Sequence, residues 1–360
     1  MPPPPQPGDP VPAGTLAPGA LTSGTLETGD GQSVFWESWG SPDGVPAVFL
    51  HGGPGSGFTE GHRQHFDARR HRVVALDQRG CGRSRPLATD PGADLSAITT
   101  VHMVSDVEAL REHLGIDAWL VVGVSWGTTL ALAYAQAHPD RVTGLVLGAV
   151  TTTSAAEVEW ITESMRAVFP AEWEDFAAAS GRAPGQRVVD AYRERLTDPD
   201  PAVREAAARA WCTWEDVHVS LATGGATSPR YEDPEFRLLF ATLVVHVWAA
   251  SGFAPPEGLL GRMELLAHLP GVLVHGALDI SSPLATAYDL HRRWPGSELV
   301  VVRSDGHGGR TMGEEITQAV GRLSSRAEAP GARRPAEDAL GASVPPAGGT
   351  DGDGARTPAA

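Results

Sequence analysis

The chain contains no lysine and no asparagine in its 360 residues. Without lysine there is no P-loop lysine, no Schiff base and no Ser–Lys dyad. Without asparagine there is no Cys–His–Asn protease and no N-glycosylation acceptor. The codon bias of a GC-rich genome accounts for both absences. Cysteine is scarce: Cys81 and Cys212 are too few for a disulfide framework and lack zinc spacing. Positive charge is short as well, 28 basic against 44 acidic side chains, so the net charge is −16 and no basic stripe exists to displace counterions from nucleic acid. The longest mostly apolar stretch, Leu238–Ala250, holds Thr242 and His246 and is too short to span a bilayer. The N-terminus has neither the basic nor the apolar segment of a signal peptide. These exclusions predict a soluble, cytoplasmic protein with no nucleic-acid, membrane or metal partner.

What is present is ordinary globular usage, 41% apolar and 20% charged, enough to bury a sizeable core. Residues 1–22 and 326–360 are rich in Pro, Gly and Ala without periodicity and are expected to be disordered or extended. Between them, short apolar runs recur: Ala47–His51, Val73–Asp77, Trp119–Val124, Leu145–Ala149, Val272–His275 and Leu299–Val302. Helical patterns such as Ser105–Leu114 and Thr128–His138 separate several of them. Continuous apolar runs alternating with helices indicate buried parallel strands in βαβ units. Residues 152–266 break that rhythm, with helical spacing in Ala202–Trp214 and Arg237–Trp248. The reading is an α/β fold: a mostly parallel, doubly wound sheet built from 23–151 and 267–325, with a helical cap, 152–266, inserted in it.

The sharpest motif is Gly123-Val124-Ser125-Trp126-Gly127, which follows one apolar run and opens a helix. This is the G-x-S-x-G elbow in its strand–turn–helix setting, where the turn lifts a serine hydroxyl off the end of the sheet. Asp279 closes the run from Val272, and His307 lies in Ser304-Asp305-Gly306-His307-Gly308-Gly309, just after Leu299–Val302. The order Ser125, Asp279, His307 is that of the α/β-hydrolases, each residue past the carboxyl end of a strand. In that arrangement Ser125 is the nucleophile, His307 the general base and Asp279 the group that orients the imidazole. The run His51-Gly52-Gly53-Pro54-Gly55 ends another strand, and its Gly53 N–H together with the Trp126 N–H is the expected oxyanion hole. His62 and His65 read as helix or loop surface. No dinucleotide loop is supported at Gly80-Cys81-Gly82, nor a reactive thiol at Cys81. Five of the ten tryptophans fall in the cap region (Trp160, Trp173, Trp211, Trp214, Trp248) and read as core packing, one or two lining a pocket.

With these residues in place, the sequence resembles the proline iminopeptidase (prolyl aminopeptidase) family of α/β-hydrolases, over roughly Thr25–Arg322. The resemblance rests on His51–Gly55, Asp77-Gln78-Arg79-Gly80-Cys81-Gly82-Arg83-Ser84, Gly123–Gly127 through His138, Trp211-Cys212-Thr213-Trp214-Glu215, His275–Asp279 and Gly306-His307. It implies a serine aminopeptidase that releases N-terminal proline from a peptide or amide through an acyl-enzyme, with no cofactor, no metal and no obligatory protein partner. It also implies that Glu215 binds the substrate's free amine. Two departures stand out. Leu243-Val244-Val245-His246-Val247-Trp248 puts Val244 where the family pattern has a second acid, and the arginine and aromatics expected after Gly148 are replaced. The alternatives are a related serine hydrolase of esters, amides or lactones with a relaxed amine requirement, and a non-catalytic binding module on the same fold.

Overall fold

The protein's structure, a computed structural model, describes residues 21–225 and 227–327. Most of the two low-complexity ends, residues 1–20 and 328–360, lies outside the described residues. Eight strands form one sheet in the order β1-β2-β4-β3-β5-β6-β7-β8. They are β1 Thr22–Glu27, β2 Ser33–Gly40, β3 Val45–Leu50, β4 His71–Leu76, β5 Trp119–Val124, β6 Val142–Gly148, β7 Gly271–Gly276 and β8 Ser297–Val302. The six strands from β3 onward are parallel, and β2 runs against both its neighbours. The apolar runs read from the sequence are the centres of these six strands. On β3 to β7 they are continuous because both faces are covered, while β8 is the partly open edge. On β3, Val48 and Leu50 face a core built with helices α1 (Thr100–His113) and α2 (Trp126–Ala137), and Ala47 and Phe49 face a second core. Met312, Ile316, Ala319 and Val320 of the C-terminal helix Arg310–Ala327 complete that second core.

Between Gly148 and Gly271 the chain leaves the sheet and builds α3 (Ala155–Thr162), α4 (Pro170–Ser180), α5 (Val188–Leu196), α6 (Pro201–Val219) and α7 (Pro234–Ala249). Both long helices open on Asp-Pro. Asp200 and Asp233 accept the amide N–H two residues on, and proline fills the first helical position, where no N–H is needed. These helices close on a third core of their own, in which Phe176 stacks on Tyr192 and Trp214 at centroid distances of 4.8 and 5.0 Å. No helix among the described residues is long and apolar enough to cross a membrane.

Candidate active site

Ser125 sits between β5 and α2 with φ 56° and ψ −130°, a conformation disfavoured for any residue with a Cβ. Its flanking glycines are required by close approach. A Cβ at Gly123 would overlap the Gly127 carbonyl, and one at Gly127 would overlap the Leu50 carbonyl. Helix α2 is thereby pressed against the ends of β3 and β5, and the serine is left on the crest of the turn.

Asp279 and His307 reach the same point from the turns after β7 and β8, on the far side of β6. The chain after β7 and the loop after β8 touch so closely that a Cβ at Gly276 would overlap the Asp305 and Gly306 carbonyls. His307 Nδ1 lies 2.9 Å from Asp279 Oδ2, and its Nε2 lies 2.8 Å from Ser125 Oγ. With Asp279 a carboxylate, Nδ1–H donates and Nε2 accepts the serine hydroxyl. The other carboxylate oxygen, Oδ1, accepts the Ser282 N–H at 2.9 Å. Burial alone would raise the Asp279 carboxyl; the charge of His307 and the bonds from His307 and Ser282 hold it below its ordinary range. For His307 the balance runs the other way. Burial would lower the imidazole, and Asp279, by charge and by hydrogen bond, with Glu215 adding to it, holds it above its ordinary value.

The loop after β3 crosses over the serine, where a Cβ at Gly52 would come within 2.9 Å of Ser125 Cβ. Neither the Gly53 nor the Trp126 amide N–H donates to another group among the described residues. The turn after β4 pins this loop. Gln78 donates its N–H to His51 Nε2 at 3.1 Å and its side-chain amide to the His51 carbonyl at 2.9 Å. Asp77 accepts the Phe58 N–H at 2.8 Å and the Arg83 Nε–H at 2.7 Å. The Asp77–Ser84 segment is thus a brace for the glycine loop. Cys81 within it is fully buried, and burial pushes its thiol up.

The cap supplies the opposite wall. Along α6 the positions Trp211, Trp214, Glu215 and His218 fall on one face, the spacing of a helical stripe, and all four are buried. A carboxylate in a tryptophan-lined stripe is desolvated. Burial raises the Glu215 carboxyl to about 7, against the His307 charge and a 3.3 Å bond from Trp211 Nε1–H. Glu215, Ser125 and His307 line one cavity of about 1160 Å³.

The structure therefore brings Ser125, Asp279, His307, Gly53, Trp126 and Glu215 around a single cavity, five of them on its lining and Asp279 behind His307. Val244 is not among them: it is fully buried in the cap core, while its neighbour Leu243 packs on Gly55. Two histidines read as surface are otherwise. His65 is buried, with Nδ1 3.2 Å from Thr317 Oγ1, and His62 stacks on Phe49 at 4.6 Å and lines the cavity. Trp126 and Trp248 are the tryptophans on the lining. The sequence reading missed Thr151, Thr153 and Glu157, which line the cavity beyond β6. Glu157 there gathers the Thr152 and Ser154 amides at 3.1 and 2.9 Å. It missed His218, which the three-residue step from Glu215 could have found. It also missed Arg230, which no periodicity marks.

The α/β hydrolase fold family matches residues 46–309 of the chain. A probable proline iminopeptidase of Streptomyces coelicolor is 47% identical over 295 residues, covering 81% of this chain and 91% of its own length. A proline iminopeptidase of Arabidopsis thaliana is 41% identical over 291 residues, 80% of this chain and 75% of the relative. Among solved structures, a Mycobacterium smegmatis proline iminopeptidase superposes with a TM-score of 0.55 at 19% identity, covering 85% of this chain and all of that one. An esterase from Exiguobacterium antarcticum superposes equally well at 21% identity, over 84% and 98% of the two chains, so at this distance structural likeness speaks for the fold alone.

Proposed function

Because the chain belongs to the proline iminopeptidase family of α/β-hydrolases, we propose that it is a serine aminopeptidase that removes N-terminal proline from short peptides and amides. The observation that carries this reading is the pairing, on one cavity, of a hydrogen-bonded Ser125–His307–Asp279 relay with a buried carboxylate, Glu215. A free N-terminus is a cation, and a buried acid with one uncommitted oxygen is its natural acceptor.

In this reading the core, residues 23–151 and 267–325, does the chemistry, and the cap, 152–266, recognises the amine. The substrate's proline ammonium docks on Glu215, which sets the carbonyl carbon over Ser125 Oγ. His307 Nε2 takes the hydroxyl proton as the C–O bond forms, and Asp279 stabilises the resulting imidazolium. The carbonyl oxygen, now an oxyanion, is held by the Gly53 and Trp126 N–H groups. Such donors act only where charge develops, and each is worth about 100- to 1000-fold in kcat. His307 then returns the proton to the leaving amine, and a water activated by the same imidazole releases proline. No metal or cofactor enters any of these steps. A cytoplasmic location belongs to the proposal, since two free, buried thiols suit a reducing compartment.

The test is kcat/KM for the chromogenic anilide of L-proline, its N-acetyl form and a short acyl ester, with a fluorophosphonate probe on Ser125. Strong preference for the free-amine anilide supports the reading. Ester turnover with little proline release would make the chain a serine hydrolase that has lost the amine requirement. A folded protein that the probe leaves unlabelled would be a binding module.

A further inference from the structure

A secondary ammonium carries two N–H donors, and Glu215 offers them one carboxylate. Val244 cannot be the other acceptor, being apolar and turned into the cap core. We propose that the second N–H of the substrate's proline is accepted by Nε2 of His218, so that Glu215 and His218 together form the amine site. This rests on the aminopeptidase reading above.

His218 lies on α6 one turn beyond Glu215, is 2% exposed and lines the same cavity. Its Nδ1 is 2.8 Å from Ser281 Oγ, and the Trp214 ring meets it edge-on with centroids 5.6 Å apart, so the ring plane is set from two sides. Nε2 has no hydrogen-bond partner among the described residues. It faces Oε2 of Glu215 at 3.6 Å, beyond hydrogen-bond reach. Oε2 is the uncommitted oxygen, since Oε1 holds the Trp211 indole. A buried ring nitrogen without a partner, facing a carboxylate oxygen that accepts no hydrogen bond among the described residues, is costly unless something arrives between them.

The chemistry of the ring fits. Burial, with the nearby His307 charge and against the pull of Asp279, pushes the His218 imidazole down to about 3, so it is neutral at working pH. With its proton on Nδ1, donated to Ser281 Oγ, Nε2 turns a lone pair toward Glu215 Oε2, across the gap the ammonium would enter. Two tetrahedral N–H donors place their acceptors roughly 4.5 Å apart. The pair at 3.6 Å therefore opens by about 1 Å as the ammonium enters.

A specificity follows. Proline's two N–H groups are both satisfied by Oε2 and Nε2. A primary ammonium brings a third donor that Oε2 and Nε2 leave unpaired, and a buried unpaired donor costs about tenfold or more. N-methylation of an alanine substrate removes that donor.

The experiment uses the full chain with anilides of proline, alanine and N-methylalanine and a short acyl ester. The wild type is expected to favour N-methylalanine anilide over alanine anilide by about tenfold; equal rates overturn the proposal. His218→Phe, which keeps a ring and removes the acceptor, is expected to lower the proline-anilide to ester ratio about tenfold through KM, and His218→Gln, which restores an acceptor, to recover most of it. A fall in both substrates with the ratio kept, or a His218→Gln no better than His218→Phe, makes His218 a brace for α6 and overturns the assignment. If His218→Phe does not fold, the wild-type comparison decides. Loss of proline cleavage in Glu215→Gln with an unchanged ratio in His218→Phe sinks this inference and leaves the aminopeptidase. A wild type that turns over ester and no proline anilide sinks both.

Discussion

The two walls of the cavity are built on opposite terms. On the sheet wall the backbone dictates position: glycines admit contacts no Cβ would allow, Ser125 is held at a positive φ, and both oxygens of Asp279 are engaged. On the cap wall, Nε2 of His218 has no hydrogen-bond partner among the described residues and faces Oε2 of Glu215 at 3.6 Å, on a helix packed in tryptophan. The sheet wall is finished before substrate arrives, as preorganised electrostatics requires. The cap wall is left with desolvated groups that only a ligand completes. Reaction and recognition thus draw on different parts of the fold, and the two should fail separately.

The largest effect tests the sheet wall. Ser125→Ala or His307→Ala is expected to cut kcat by about 10⁴-fold or more on anilide and ester alike. Circular dichroism and Tm should stay near wild type. An unequal loss between the two substrates would mean that the walls are not separable. Next comes the cap wall. Glu215→Gln is expected to lower kcat/KM for proline anilide about 10- to 100-fold, the worth of one charge-assisted bond, and to change ester turnover by only a few fold.

The walls also differ in pH dependence. His307 must be neutral to accept the serine proton, and its imidazole is held above its ordinary value. Glu215 must be ionised to hold an ammonium, and its carboxyl is raised to about 7. Both requirements are lost as pH falls, and kcat/KM reports the free enzyme. Log kcat/KM for proline anilide should fall toward a slope of two below the neutral range, and for an ester with a slope of one. Glu215→Gln should return the anilide profile to one.

Smaller effects sharpen the placement of individual cap residues. Val244→Glu puts an acid into an apolar core, at a cost of about 3 kcal/mol and several degrees of Tm, without improving proline turnover. Better turnover would show that this side of α7 reaches the substrate. Arg230 donates to the Ser56 carbonyl and lies 3.9 Å over the Phe236 ring, tying the cap to the loop beyond β3. Arg230→Gln should cost about threefold on both substrates, the worth of an exposed cation–π contact.

The sheet wall was also the legible one. Strands β3 to β7 read as apolar runs because both their faces are covered, β8 reads as one through its valines although it lies half-open at the sheet edge, and the site residues on the strand ends sit in tight turns that few sequences satisfy. Strands β1 and β2 escaped notice because edge position and antiparallel pairing break the run. Thr22–Glu27 is largely exposed, and Glu37 in β2 is buried only by pairing with Arg63 and Arg83. Glu215 was found through a resemblance and not through periodicity, since a lone acid on a helix is ordinarily surface. What sets it apart, burial beside Trp211 and Trp214 and proximity to His307, arises when α6 docks over the sheet. His62 went wrong for the same reason: its environment is made by the stacking of Phe49 and by the cap, neither near it in the pattern.

The insertion of the cap between β6 and β7 also orders events in time. Ser125 and His307 are 182 residues apart, with the whole cap between them. A chain emerging N-terminus first presents the serine on its elbow long before its base or its orienting acid has been synthesised. In the proposed mechanism the serine would therefore be without its base throughout translation of the cap. On that reading hydrolytic competence would wait for the last two strands, β7 and β8, which carry Asp279 and His307 into place at the sheet edge.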